Sequence, residues 1–180
     1  MIPEIKTKRL ILNAFNLSDA GTVTKLLKNK KIYENTINIP FPYKKKDAQK
    51  WISEHPSLFL NSKAVTFAIR FKDILIGAID IRLEMNHLRG EIGYWIGFKY
   101  WNKGYCSEAA AAVIKYAFEE LKLNKIHAQH MAHNVASGFV MQKCGMEYEG
   151  YLKQHYVKQG KFIDSVMYGI TKESYKKLNT

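Results

Sequence analysis

The sequence predicts an α+β fold: a single domain spanning residues 1–180, with its core at about residues 8–171, built on a mixed, mostly antiparallel central sheet with flanking helices. Three observations lead there. The order of elements is a strand, two helices and three consecutive β-rich runs, followed by helix, strand, helix and two closing strands. The length of 180 residues and the hydrophobic fraction of 47% suit one sizeable core. No internal repeat, low-complexity tract or linker divides the chain.

The first element, RLILNAF, alternates around Leu10, Leu12 and Ala14, as a half-buried strand does. Ser18 offers an N-cap for a helix running through Lys28. From Tyr33 to Tyr43 the chain reads as an extended loop, because Pro40 and Pro42 hold the residues before them out of helical backbone. Asp47 is placed to cap a second helix carrying Trp51 and Ile52, which Pro56 should end or kink. The period then switches to two. AVTFAIRF and ILIGAIDIRL flank the polar pair Lys72 and Asp73 as a tight hairpin, and EIGYWIGF follows through MNHLRG as a third strand. A helix with Ala109, Val113, Tyr116, Ala117 and Leu121 at helical spacing comes next. NKIHAQHMA reads as a strand and NVASGFVMQKC as a short helix with Gly145 at its C-cap. Two β-rich segments, MEYEGYLKQHYV and KFIDSVMYGI, close the chain around Gly160.

Composition narrows the function. No apolar run is long enough to cross a bilayer, and MIPEIKTKRL lacks the apolar stretch and cleavage site of a secretory signal, so a cytoplasmic protein without membrane attachment is expected. The two cysteines, Cys106 and Cys144, cannot form a disulfide framework and fit a reducing compartment. With 28 Lys and Arg against 16 Asp and Glu, the net charge of +12 suits an anionic partner without identifying it. Only Lys44 to Lys46 form a tight basic run, so no nucleic-acid tail is visible and nucleic acid is not the expected partner.

One stretch carries chemistry. YWNKGYCSEAAAA, from Tyr100 to Ala112, runs from strand to turn to helix, and a helix start exposes unpaired N–H groups and partial positive charge, which together hold anions. The helix should begin near Tyr105. Gly104 lets the backbone approach a ligand, Lys103 adds charge, and Cys106, Ser107 and Ala109 keep the first turn small. Neither a P-loop nor a Gly-x-Gly-x-x-Gly fingerprint is present. From these residues alone the stretch reads either as a phosphate cradle or as a turn with an incidental glycine and lysine.

The same residues resemble the GNAT superfamily of acetyl-CoA-dependent N-acetyltransferases, closest to the branch that acetylates ribosomal-protein N-termini. YWNKGYCSEA is similar to that branch's loop tyrosine-tryptophan-glycine-lysine-glycine-tyrosine-alanine-threonine-glutamate-alanine, with Asn102 and Cys106 in place of its usual glycine and alanine. HNVASGFVMQKCGMEYEG is similar to its Asn-x-x-Ser-x-x-x-x-x-Lys-x-Gly-Phe, with Asn134, Ser137, Lys143 and Gly145 in register and Met146 replacing Phe. The resemblance implies acetyl-CoA as cosubstrate and a strand, EIGYWIG, that bulges and splays from its neighbour. Pantetheine would lie in the resulting slot against the main chain of Tyr94, Trp95 and Ile96. It further implies a pyrophosphate site over Asn102, Lys103, Gly104, Tyr105, Cys106 and Ser107, with Asn134, fixed by capping its helix, on the pantetheine arm. INIPFPY and Trp51 fall where the branch places its acceptor side, and the family's dimers make a homodimer compatible with the resemblance.

Acetyl transfer to an amine needs a neutral amine, a polarised carbonyl and a proton for the leaving thiolate. The family transfers directly in a ternary complex. Glu91, at the start of the splayed strand, is the candidate base, through water or directly; a solvated strand-end carboxylate is the plainer reading. Backbone N–H near Ile96 would polarise the carbonyl, and Ser137 is the candidate acid. Cys106 has no readable His or Asp partner for nucleophilic catalysis. His127, His130 and His133 alternate faces on a strand, so no metal is expected. The expected acceptor is a protein N-terminal amine such as that of a ribosomal protein. A polyamine, aminoglycoside or amino-acid derivative is the alternative acceptor, and a non-catalytic nucleic-acid or ribosome-binding module the alternative class.

Overall fold

In the computed structural model, which describes residues 1–178, every strand joins one eight-stranded sheet. β1 (Ile5–Lys6) and β2 (Leu10–Asn13) lead into the helices α1 (Ala20–Leu27), α2 (Lys30–Glu34) and α3 (Lys45–Leu60). The meander β3 (Ala64–Phe71), β4 (Ile74–Glu84) and β5 (Arg89–Ile96) follows. Then come α4 (Tyr105–Glu119), β6 (Lys125–Met131), α5 (Val135–Lys143), β7 (Glu147–Lys158), β8 (Lys161–Thr171) and α6 (Lys172–Leu178). The strands lie in the order β1-β2-β3-β4-β5-β6-β8-β7. All neighbours are antiparallel except β5 and β6, which run parallel.

Alternation along the strands gives the sheet two apolar faces. Phe67 and Ile69 of β3 and Ile79 and Ile81 of β4 turn toward α4, whose Ala109, Val113, Ile114, Ala117 and Phe118 complete the larger core. Ala68 and Leu75 turn the other way, against Val23, Leu27, Ile32, Ala48 and Ile52 of α1 to α3. The hairpins carry backbone that fits a two-residue turn: Lys72 and Asp73 both have positive φ (49° and 62°), as do Gln159 and Gly160 (51° and 72°).

Several local expectations are corrected. Ser18 does not cap α1. A single 3₁₀ turn precedes that helix, and Asp19 caps it by accepting from the Asn16 N–H (2.9 Å). Asp47 likewise acts from inside its helix: α3 starts at Lys45, and the Asp47 carboxylate accepts from the Lys44 N–H (2.8 Å). Pro56 lies within α3, which continues to Leu60 because buried Ala48, Ile52 and His55 hold it and only one backbone bond is lost. The Tyr33–Tyr43 loop is shortened by α2, capped by Asn29, whose side chain accepts from the Lys31 N–H (2.9 Å). β1 and α6 are additions; neither carries a pattern long enough to read. Gly145 does end α5 as expected, with φ 77°, its N–H on Gln142 O (2.9 Å) and that of Met146 on Met141 O (3.1 Å).

Candidate active site

β5 and β6 are hydrogen-bonded neighbours only from Arg89↔Lys125 to Ile92↔Ala128. Beyond that point β5 stays with β4 as far as Ile96, and β6 stays with β8 as far as Met131. Gly93–Ile96 and Gln129–Met131 therefore face each other across a gap in the middle of the sheet. The register of β5 on β4 is unbroken, so the expected bulge is absent and the slot opens by divergence alone. A cleft of about 1260 Å³ occupies the gap, and every site residue named from the sequence lines it.

The slot presents main chain selectively. The Gly97 N–H bonds Ile76 O of β4 (2.8 Å), and amides alternate along a strand, so Trp95 also faces β4 while Tyr94 and Ile96 face the gap. Trp95 contributes its indole to the opposite end of the cleft instead. The Ile96 carbonyl is already taken by the indole N–H of Trp101 (2.6 Å), which leaves its N–H as the free polar group.

At one end of the cleft α4 begins at Tyr105, and its first intrahelical bond is Glu108 N–H to Gly104 O (3.1 Å). The amides of Tyr105, Cys106 and Ser107 precede that bond. Asn102 (φ 58°) and Gly104 (φ 74°) hold the turn in left-handed backbone, a conformation asparagine and glycine tolerate best. A partner not foreseen from the sequence braces it. Glu108 accepts from the Thr7 hydroxyl (2.6 Å), the Arg9 N–H (2.8 Å) and Arg9 Nε (2.6 Å), and Arg9 Nη1 donates to Lys103 O (3.0 Å). Burial raises the Glu108 carboxyl, but these donors outweigh it and hold the group below its ordinary range. The separation of 99 residues hides this tie; the only signal is a Thr-x-Arg beside a strand and a Glu in a helix's first turn.

In the middle, α5 lies against the slot. Asn134 is the residue before α5, but its side chain does not cap; Nδ2 donates to Asn35 O (3.3 Å), and Ser137 N–H bonds the Asn134 carbonyl (3.0 Å). Ser137 Oγ donates to the Tyr94 phenol (2.9 Å), which donates to the Ser137 carbonyl (3.0 Å). Burial pushes the Tyr94 hydroxyl well above its ordinary value, so it is a protonated donor at neutral pH. Burial also pushes the Cys106 thiol far up and the Cys144 thiol to about 11, which keeps both from acting as thiolate nucleophiles.

The far end is bounded by the loop after α2, strapped across the gap. Lys158 Nζ donates to Tyr33 O and Thr36 O and lies 4.0 Å from the Tyr33 ring centre, while His133 Nε2 sits 3.2 Å from Glu34 O. Behind the loop, Trp51 packs edge-on against Phe15 (5.0 Å) and His55 (4.5 Å) and at a tilt to Trp95 (6.4 Å). The sheet surface facing it carries Asp80, Arg82 and Glu91. Arg82 Nη2 pairs with Glu91 Oε1 at 3.2 Å. Asp80 was not foreseen. Its carboxyl is raised to about 6, first by burial, then by Glu91, against the opposing effects of Arg82 and the Gly93 and Asp80 amides. Among the described residues no group of three or more His, Cys, Asp and Glu side chains could hold a metal ion, and no helix is long and apolar enough to cross a membrane.

A sheet parted beside a helix start, with an anion cradle at one end and half-buried carboxylates at the other, is the architecture of an acyl-coenzyme transferase. Residues 9–147 match the family model described as an acetyltransferase (GNAT) domain, and the chain belongs to that family as an acetyl-CoA-dependent N-acetyltransferase. It is 30% identical over 171 residues, 95% of this chain and 98% of the other, to the uncharacterized N-acetyltransferase YnaD of Bacillus subtilis. A GNAT-family acetyltransferase crystal structure from Bacillus anthracis superposes with a TM-score of 0.83 at 30% identity, covering 95% of this chain and 99% of that one. The [ribosomal protein uS5]-alanine N-acetyltransferase of Escherichia coli is 36% identical over 80 residues, 44% of this chain and 41% of that one. The fold also matches RimL, a ribosomal L7/L12 α-N-protein acetyltransferase in complex with coenzyme A, with a TM-score of 0.88 at 20% identity, covering 96% and 99%.

Proposed function

We propose that the chain moves acetyl from acetyl-CoA directly to the N-terminal α-amine of a protein, such as a ribosomal protein, within a ternary complex. The observation that carries this reading is the single cleft that passes from the amides of Tyr105 to Ser107, through the parted strands, to a wall of carboxylates and indoles. Asn102, Lys103, Gly104 and the amides of Tyr105, Cys106 and Ser107 take the pyrophosphate. Tyr94 and Ile96 pair with pantetheine as an added strand would, and the Ile96 N–H polarises the thioester carbonyl. Asn134 lies beside the arm. The carboxylate-bearing wall of Asp80 and the Arg82–Glu91 pair receives the acceptor amine, and Ser137 with Tyr94 supplies the proton that the thiolate needs.

The N-terminal acceptor is supported by the partial match to the uS5-alanine enzyme and by the acceptor vestibule. Ile37, Ile39, Tyr43 and Trp51 line it with apolar surface. That surface suits the first side chains of a peptide, while the carboxylates suit its ammonium. The net charge of +12 that would repel cations is offset locally by Asp47, Asp80 and Glu91 in the cleft wall. The same local field favours a second reading, a small-molecule amine. It is favoured also by 35% identity over 89 residues, 48% of this chain, to FsC-acetyl coenzyme A-N(2)-transacetylase of Aspergillus fumigatus.

Calorimetry with acetyl-CoA, coenzyme A and a plain polyphosphate at near-physiological salt tests the coenzyme end. One-site binding that polyphosphate does not reproduce is expected; equal binding of polyphosphate would reduce the cradle to nonspecific charge. Thiol release with peptides bearing free N-terminal Ala or Ser, beside a polyamine and an aminoglycoside, separates the two acceptor classes.

A further inference from the structure

The acceptor-side wall contains two carboxylates in different circumstances. Glu91 is committed to Arg82 across the β4–β5 ladder (3.2 Å), with Arg82↔Glu91 directly paired in register. Asp80 has no ion-pair partner within bonding distance among the described residues. It is paired in register with Gly93, and a Cβ on Gly93 would stand 2.7 Å from Asp80 Oδ1, so the carboxylate lies over the glycine. Gly93 is the first residue of β5 beyond the last β5–β6 pair, Ile92↔Ala128. The carboxylate thus overhangs the point where the sheet parts. The next residue, Tyr94, points to the opposite face, where its phenol and the Ser137 hydroxyl meet. A proton acceptor and a pair of proton donors flank the opening from its two sides.

We propose that Asp80 takes the proton from the acceptor amine, and that Glu91 is a positioning residue that holds Arg82 beside it. This rests on the N-acetyltransferase reading of the cleft. The acceptor ammonium passes one N–H proton to the Asp80 carboxylate, and the freed nitrogen lone pair bonds to the thioester carbonyl carbon. The C–S bond breaks with its electron pair on sulfur, and the second N–H proton reaches sulfur through the Ser137 and Tyr94 hydroxyls. Amide and thiol leave, and Asp80 returns its proton to water. Glycine at position 93 is required for this arrangement, since any side chain there displaces the carboxylate. A carboxyl raised to about 6 is ionised at pH 7 yet basic enough for the transfer. The charged groups that act on it are Arg82 on its own strand and Glu91 on β5. His127 on β6 and Tyr156 on β7 interact with Glu91, and Tyr43 and Asp47 from the helical side and His130 on β6 line the same cleft.

Two measurements test the proposal. The first needs no acceptor: the carboxyl ¹³C resonance of Asp80, assigned by its absence from Asp80→Asn, is titrated in the full-length protein with acetyl-CoA present. Titration near pH 6 is expected, and an ordinary value near 4 overturns the proposal whatever the acceptor is. The second follows kcat against pH with whichever acceptor probe the wild type turns over. Asp80→Asn should lose about 10²- to 10³-fold in kcat together with the limb near pH 6, while still binding acetyl-CoA by calorimetry. Glu91→Gln should keep the limb and move it to lower pH, because Glu91 raises the Asp80 carboxyl. Full turnover by Asp80→Asn, or loss of the limb in Glu91→Gln alone, overturns the assignment. A wild type that binds acetyl-CoA but acetylates no probe contradicts the acceptor class, and the ¹³C titration then decides the fate of Asp80 separately.

Discussion

At the coenzyme end of the cleft three adjacent residues, Asn102 to Gly104, set the geometry, and the ligand groups are backbone amides of the helix that follows. At the acceptor end Asp80, Arg82, Glu91 and Gly93 come from two strands, Trp51 from a helix, and the roof from a loop tied down by Lys158 more than 120 residues away. One end is built by local backbone conformation, the other by long-range register. A site of the first kind holds a constant ligand group with little dependence on side chains. A site of the second kind can change its acceptor through single substitutions that leave the fold intact.

The largest expected effect comes from breaking the local end. Gly104→Val places a β-branched residue at φ 74°, a backbone conformation it cannot hold without distorting the turn that sets the cradle, so acetyl-CoA affinity measured by calorimetry should fall by about 100-fold or more. Unchanged affinity would remove the pyrophosphate from this turn. Gly93→Ala probes the other end. Its methyl meets Asp80 Oδ1, the movable end of a side chain, so the fold should survive and coenzyme affinity stay constant while kcat falls about 10-fold. If Gly93→Ala weakened coenzyme binding instead, the two ends would not be separable.

This division also explains how much was legible. The helix start at Tyr105 and the left-handed turn could be read because glycine and asparagine in sequence state a backbone requirement directly. The β3–β4–β5 meander was legible from its period, and the polar pair Lys72 and Asp73 marked its first turn. Asp80 gives no signal in the sequence, because ILIGAIDIRL reads as a strand interior and nothing local says that its carboxylate lies over Gly93. That fact exists only once β4 and β5 are in register. The Asn134 side chain departs from the expected cap for the same reason: its amide goes to Asn35, at the end of α2 and 99 residues away. Pro56 misled because packing of α3 against the sheet outweighs a local breaker.

A smaller effect should follow from Glu108→Gln, which removes the charge from the bonds to Thr7 and Arg9 behind the cradle. Charge-assisted bonds of this kind contribute about 1.5–3 kcal/mol, so a lower melting temperature and a several-fold loss of acetyl-CoA affinity are expected, with the acceptor end untouched. An unchanged melting temperature would show that the tie to Thr7 and Arg9 does not brace the helix start.

The two ends also differ in how acid should loosen them. Glu108 has a depressed carboxyl, so its contribution is present above the unfolded value near 4.5 and is lost as pH falls through the lower folded value. His55 works in a higher window. It is 3% exposed beside Phe15 and Trp51, neither ring nitrogen has a hydrogen-bond partner among the described residues, and burial lowers it to about 4. A buried histidine that must stay neutral costs nothing above the unfolded value of 6.5, and stability declines as pH falls from there toward 4. The full decline is on the order of 3 kcal/mol. His55→Phe keeps an aromatic ring against Trp51 and removes both unpaired nitrogens. Its denaturation midpoint should match or exceed that of the wild type at pH 7.5, and the advantage should widen at pH 5.5 and again at 4.5, with coenzyme affinity and turnover at neutral pH unaltered. Parallel pH profiles for the two proteins would mean that His55 takes its proton without disturbing the packing behind Trp51. Acid sensitivity above pH 4.5 would then have to come from a group outside the acceptor-side helices.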